Sequence, residues 1–215
     1  MNNRSSALLP PVISVAVTVS MLSLSPLFAA PVFSSSLLLT VGLPGLIAAV
    51  AALLRLKRSC VILAALSGLI LLIWLGTSIT PAGSSLTGIP NLFTSGFQTL
   101  RDSKPPLPDQ PALGWLLLFL AFVLWLVSYV LTDSLEQPAW VIAPLALPYA
   151  LTALVHPTDL DFTGFLLVAG GYVAVLLTAG GPGLARGGMG FRLARWVTGL
   201  ITAAVAAALT LGVTS

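Results

Sequence analysis

The sequence predicts an all-α, multi-pass transmembrane helical bundle of about seven spans. Three observations predict it. Of the 215 residues, 57% are hydrophobic and 7% charged, against about 25% charged in a soluble domain. Seven stretches approach the roughly 20 apolar residues that a spanning helix needs, and none contains Asp, Glu, Lys or Arg. The longest polar gap runs only from about Thr80 to Pro111, which leaves no room for a sizeable soluble domain.

The spans run approximately Leu8–Ala30, Leu37–Leu54, Cys60–Ile79, Leu113–Leu131, Pro138–Val155, Phe162–Thr178 and Trp196–Val213. The first follows a short segment with one Arg, as a signal peptide would. Its apolar run is long for a signal peptide, however, and "SPLFAAP" is a poor A-x-A cleavage site. It is expected to be an uncleaved span; cleavage would leave six. The second span contains Gly42, Pro44 and Gly45, and the fifth contains Pro144 and Pro148. Each proline removes a backbone donor, and neighbouring helices can re-satisfy the freed carbonyls. Kinked packing helices are the plain expectation. The discontinuous helices of a transporter site are the alternative, and they require convergent polar groups nearby.

Charge sets the expected orientation. The nine Lys plus Arg and six Asp plus Glu give a formal charge of +3, too small and scattered for nucleic acid. With seven spans the loops alternate sides. One side holds Arg4, Arg55, Lys57, Arg58, Arg186, Arg192 and Arg195; the other holds Arg101 and Lys104. Basic loops stay cytoplasmic. The N-terminus is therefore expected inside, and Ser215 and the segment 80–112 outside.

Within that outer segment, "NLFTSGFQTLRD" places Phe93, Phe97 and Leu100 at helical spacing. It predicts an amphipathic interfacial helix over about 91–103. "KPPLP" ends it, because a residue before proline is pushed out of helical geometry. The helix reads as an ordered outer cap. As a candidate docking surface for an extracytoplasmic domain it offers Phe93, Phe97, Leu100, Arg101, Asp102 and Lys104.

No catalytic set, cofactor site or metal site emerges. Cys60 falls at the inner end of the third span and His156 at the outer end of the fifth, across about 30 Å of hydrocarbon. A nucleophile and its base must lie within about 3 Å. Asp159 and Asp161 beside His156 read as helix-start residues before they read as metal ligands. "GGPGLARGGMGFRLAR" lacks the Walker ending and a preceding strand. Its Arg186, Arg192 and Arg195 suit a basic connector, or a contact with anionic lipid or a cytoplasmic partner. Asp133 and Glu136 are the acidic residues expected on that side. Trp74, Trp115, Trp140 and Trp196 fall near span ends, as interfacial tryptophans do. Trp125 lies deeper, facing lipid or packed between helices. No span carries an ionisable residue near its middle, which argues against a pump or coupled transporter.

Three passages carry a family resemblance: "LRDSKPPLP", then "WLVSYVLTDSLEQPAWVIAPLALPYALTALV", then "FLLVAGGYVAVLLTAG". In order and spacing they resemble the N-terminal membrane domain of bacterial, particularly actinobacterial, transglutaminase-like TgpA proteins. The resemblance is clearest from about Phe97 to Gly180. It departs where Glu136 and Gln137 stand in place of the arginines common before the family's "PA". The resemblance implies a non-catalytic anchor and scaffold in the cytoplasmic membrane of a bacterium. The family's Cys–His–Asp triad would then belong to an extracytoplasmic domain beyond residue 215. By the same resemblance, partners include the lipid bilayer, that domain, and a cytoplasmic MoxR-type AAA ATPase. A small pore or transporter subunit for an uncharged or lipidic substrate is the competing expectation.

Overall fold

In hydrocarbon an apolar segment must close its backbone hydrogen bonds internally, and helices do so. The computed structural model describes residues 3–28, 35–54, 60–79, 88–155 and 162–179. Among these residues there are seven α-helices and no β-strand. They are α1 (Asn3–Leu22), α2 (Ser35–Leu53), α3 (Cys60–Ile79), α4 (Gly88–Asp102), α5 (Pro111–Tyr129), α6 (Ile142–Val155) and α7 (Phe162–Ala179). Six helical segments are long and apolar enough to cross a membrane: Leu8–Leu27, Ser36–Leu53, Val61–Ile79, Pro111–Ser134, Pro138–Val155 and Phe162–Ala179. The expected span at Trp196–Val213 lies outside the described residues.

The ends of these elements follow local chemistry. The first apolar run does not continue as one helix to Ala30: α1 stops at Leu22, and a tight turn at Ser25–Leu27 follows. Pro26 has no N–H to extend the helix, so the chain closes with three-residue bonds such as Leu27 N–H to Leu24 O at 2.9 Å. At its far end α5 widens into a π-turn at Val130–Ser134, where Leu135 N–H reaches Val130 O at 3.0 Å. Glu136 then takes a left-handed φ of 53°. A 3₁₀ turn at Pro138–Val141 leads into α6.

The prolines do not split their helices. α2 runs unbroken through Pro44, and α6 through Pro148. Both prolines are buried in packing.

α1 is the central helix. It packs along α2 and α7 and also touches α5 and α6. Ile13, Val17 and Met21 are fully buried, and an apolar helix with no polar face belongs in such a position. Small residues let the backbones close in, as they do where lipid supplies no hydrophobic drive between helices. A side chain on Gly171 of α7 would sit 3.2 Å from Ala16 Cβ, and one on Gly45 of α2 would collide with Ser14.

Polar ties cross these contacts. The Trp125 indole N–H donates to Ser14 Oγ at 2.9 Å. The Ser14 hydroxyl proton is shared between Val41 O at 3.0 Å and Pro10 O at 3.1 Å. Gly45 lies one turn beyond Val41, and without a Cβ it leaves room for Ser14 at that carbonyl. One hydroxyl thus joins α1, α2 and α5. Ser20 Oγ donates to Leu145 O at 2.5 Å, and Thr152 Oγ1 to Ser23 O at 2.9 Å, joining α1 to α6. Among the described residues no buried side-chain nitrogen or oxygen lacks a partner.

This packing predicts an order of effects. Ser14→Ala strands the Trp125 N–H and should cost about 1–2 kcal/mol. Gly45→Ala should cost more, because its methyl displaces Ser14. Gly42 has nothing within 4 Å of an added Cβ, so Gly42→Ala should be neutral or gain up to about 1 kcal/mol from helix propensity. Thermal unfolding of the purified protein in detergent ranks the three. Equal losses at Gly42 and Gly45 would contradict the packing.

Candidate docking surface

α4 is built to lie against protein on one side. At about 100° per residue, Leu92, Gly96, Leu100, Phe93 and Phe97 fall on an arc of roughly 140°. Asn91, Thr94, Gln98, Arg101 and Asp102 occupy the opposite side, and all five are exposed. The helix begins at Gly88 and ends at Asp102, three residues earlier and one residue earlier than the sequence pattern suggests. Pro90 is accommodated in the first turn.

Contacts with α5 climb in opposite directions along the two helices. The Phe93 ring stands edge-on to Trp115 at 4.8 Å and to Phe119 at 5.0 Å. One turn later, an added Cβ on Gly96 would lie 3.1 Å from Ala112 O and 3.4 Å from Leu116 Cβ. Near the end of α4, Thr99 Oγ1 donates to Gln110 Oε1 at 2.6 Å. α4 and α5 therefore form an antiparallel hairpin, and α4 runs lengthwise along the first turns of α5.

Two further ties fix this hairpin to the bundle. The Trp115 indole N–H donates to Leu72 O of α3 at 3.0 Å. Gly76, one turn beyond Leu72, would place a Cβ 2.9 Å from that indole nitrogen, so the approach needs glycine. In the proline run, Leu107 is buried and its N–H donates to Leu27 O at 2.8 Å, pairing the segment with Phe28 after α1. A shallow cleft of about 240 Å³ on the same end is lined by Ser36, Ile79, Gln110, Trp115 and Leu118. The start of α2, the end of α3 and the start of α5 thus share one face with α4.

The structure divides the six candidate docking residues. Phe93 is turned inward as the anchor of the cap. Phe97 is 59% exposed, Leu100 is 39% exposed, and Arg101, Asp102 and Lys104 are exposed. Helical spacing alone shows an apolar face; it does not show which part of that face meets protein. Leu107 was not distinguished by the sequence reading, although a lone leucine among four prolines is the available signal. Ser14 and Gly76 were likewise missed, each being one small residue in an apolar run. Arg186, Arg192, Arg195, His156, Asp159 and Asp161 lie outside the described residues. Cys60 opens α3 at its end away from the cap. Among the described residues no three His, Cys, Asp or Glu side chains group as metal ligands.

An all-helical fold among the described residues, with six helical segments long and apolar enough to cross a membrane and a helical cap at one end, is the class of protein defined here. The model of the TgpA N-terminal domain matches residues 15–214, almost the whole chain, so the chain belongs to that family. It is the N-terminal domain of a transglutaminase-like family and is distinct from the catalytic domain. No curated protein and no solved structure matches the chain.

The cap geometry separates two phenylalanines that look alike in the sequence. Phe93→Ala removes two edge-on ring contacts, each about 0.5–1.5 kcal/mol beyond area burial. It should raise tryptic cleavage after Arg101 by about tenfold or more, since a tenfold change corresponds to about 1.4 kcal/mol of opening. Phe97→Ser removes no ring contact with α5 and should raise the cleavage rate less than Phe93→Ala does. Equal sensitivity of the two variants would contradict the arrangement.

Proposed function

We propose that the chain is the membrane anchor and scaffold of a transglutaminase-like protein, holding an extracytoplasmic domain at the outer face of a bacterial cytoplasmic membrane. The observation that carries the reading is the cap. It is tied to α5 through Phe93 and Thr99, to α3 through Trp115, and to the end of α1 through Leu107. A platform so attached holds its outer surface in a fixed relation to the spans. Arg101, Asp102 and Lys104 stand exposed at the top of the hairpin, where a domain above the membrane meets them first.

Charge supports the orientation. Arg4 precedes most of α1, Arg55, Lys57 and Arg58 join α2 to α3, and Arg186, Arg192 and Arg195 follow α7. The start of α1, the end of α2, the start of α3 and the end of α7 lie away from the cap, and basic residues next to them in the sequence favour reading that end as cytoplasmic. The unbroken helices through Pro44 and Pro148 also favour a scaffold over a pore. The catalytic triad of the family would lie in the domain that the scaffold carries.

Alkaline phosphatase, active only outside the cytoplasm, tests this placement. Fusions after Asp109 and after Ser215 should be active, and a fusion after Gln137 inactive. The opposite pattern would turn the cap inward and remove the anchor reading.

A further inference from the structure

We infer that phospholipid, not protein, covers Phe97 and Leu100, so that the apolar edge of α4 is immersed in the leaflet on the cap side and sets the depth of the cap. The inference goes beyond the anchor reading and does not depend on which domain the scaffold carries.

Three observations lead to it. First, only part of α4's apolar arc is used by the bundle. Leu92 and Gly96 are buried and Phe93 is wedged on Trp115 and Phe119, yet Phe97 and Leu100 remain exposed next to them. Second, this edge lies at the level of a span end. Leu92 reaches within 3.5 Å of a Cβ on Gly76 in α3, and two residues before Gly76 the large Trp74 side chain is 61% exposed. Tryptophan at a span end marks the boundary between hydrocarbon and headgroups. α4 therefore lies beside that boundary.

Third, the side chains of α4 lean the right way. Helical side chains tilt toward the N-terminus of their own helix. The α4–α5 pairing, Phe93 with Phe119 and Thr99 with Gln110, puts the N-terminal end of α4 deeper in the bundle than its C-terminal end. Phe97 and Leu100 thus lean into the leaflet. Arg101 follows Phe97 by one turn, at the polar border of the arc. Its aliphatic stem can lie over the apolar edge while the guanidinium stays at the phosphate level. The surface left for a partner above the membrane is then the top of the hairpin, Arg101, Asp102 and Lys104.

The test is spin labelling of the full chain in vesicles of phosphatidylcholine and phosphatidylglycerol. In a Cys60→Ser background, single labels are placed through Phe97→Cys, Leu100→Cys and Gln98→Cys. Collision rates with oxygen, which concentrates in lipid, and with a nickel chelate, which stays in water, are compared. The oxygen-to-nickel ratio at 97 and 100 should exceed that at 98 several-fold. A ratio at 97 and 100 equal to that at 98 would put this edge in water and overturn the inference. Protection of 97 and 100 from both reagents would show protein covering the edge, and would overturn it as well.

Discussion

Two indole N–H groups need acceptors in a place without water, and much of the bundle is arranged around meeting that need. In hydrocarbon an unpaired N–H is costly, and most backbone carbonyls are already engaged within their helices. A carbonyl has a second lone pair, but the residue one turn later normally covers it. Glycine at that position uncovers it. Gly76 does so for Leu72, which takes the Trp115 N–H directly. Gly45 does so for Val41, which takes the Ser14 hydroxyl while Ser14 takes the Trp125 N–H. Each tie fixes the rotation and the depth of α5 against a neighbouring helix, at two levels along its length.

Those two levels explain why α5 organises the fold. Its aromatic residues Trp115, Phe119, Phe122, Trp125 and Tyr129 follow one another along a single face. Phe122 stacks toward Trp125 at 6.4 Å, and Trp125 toward Tyr129 at 5.4 Å. The outer members of the row receive Phe93 and so hold the cap, while the deeper members meet α1. Phe122 itself presses on Gly68 of α3, where any side chain would collide with the ring. The same row therefore serves packing at one level and the attachment of the cap at another.

The sequence made some of this legible and hid the rest, for physical reasons. Uninterrupted apolar length is enough to locate a spanning helix, and the run Cys60–Ile79 is α3 to the residue. Amphipathic spacing located α4 within three residues of its start. The centrality of α1 was hidden because a helix that is apolar all round looks the same facing lipid or facing protein. Pro44 left a broken helix open as the alternative to a packing helix, and α2 runs through it. Ser14 was hidden because its role is a relay between Trp125 and Val41, residues 111 and 27 positions away. Phe93 and Phe97 could not be told apart, since period alone does not say where the bundle stops and the membrane begins. The π-turn after Tyr129 carried no sequence signal that was read.

An anchor role requires that this chain be the membrane part of a larger transglutaminase-like protein. The most direct measurement is the mass of the native product. An epitope tag near Gly187, introduced at the native locus, would be detected by blotting membrane fractions. A band several times heavier than the 22.2 kDa of this chain is expected, with the catalytic domain in the same polypeptide. A single band at about that mass, 22.2 kDa, would contradict it and leave a free-standing membrane protein.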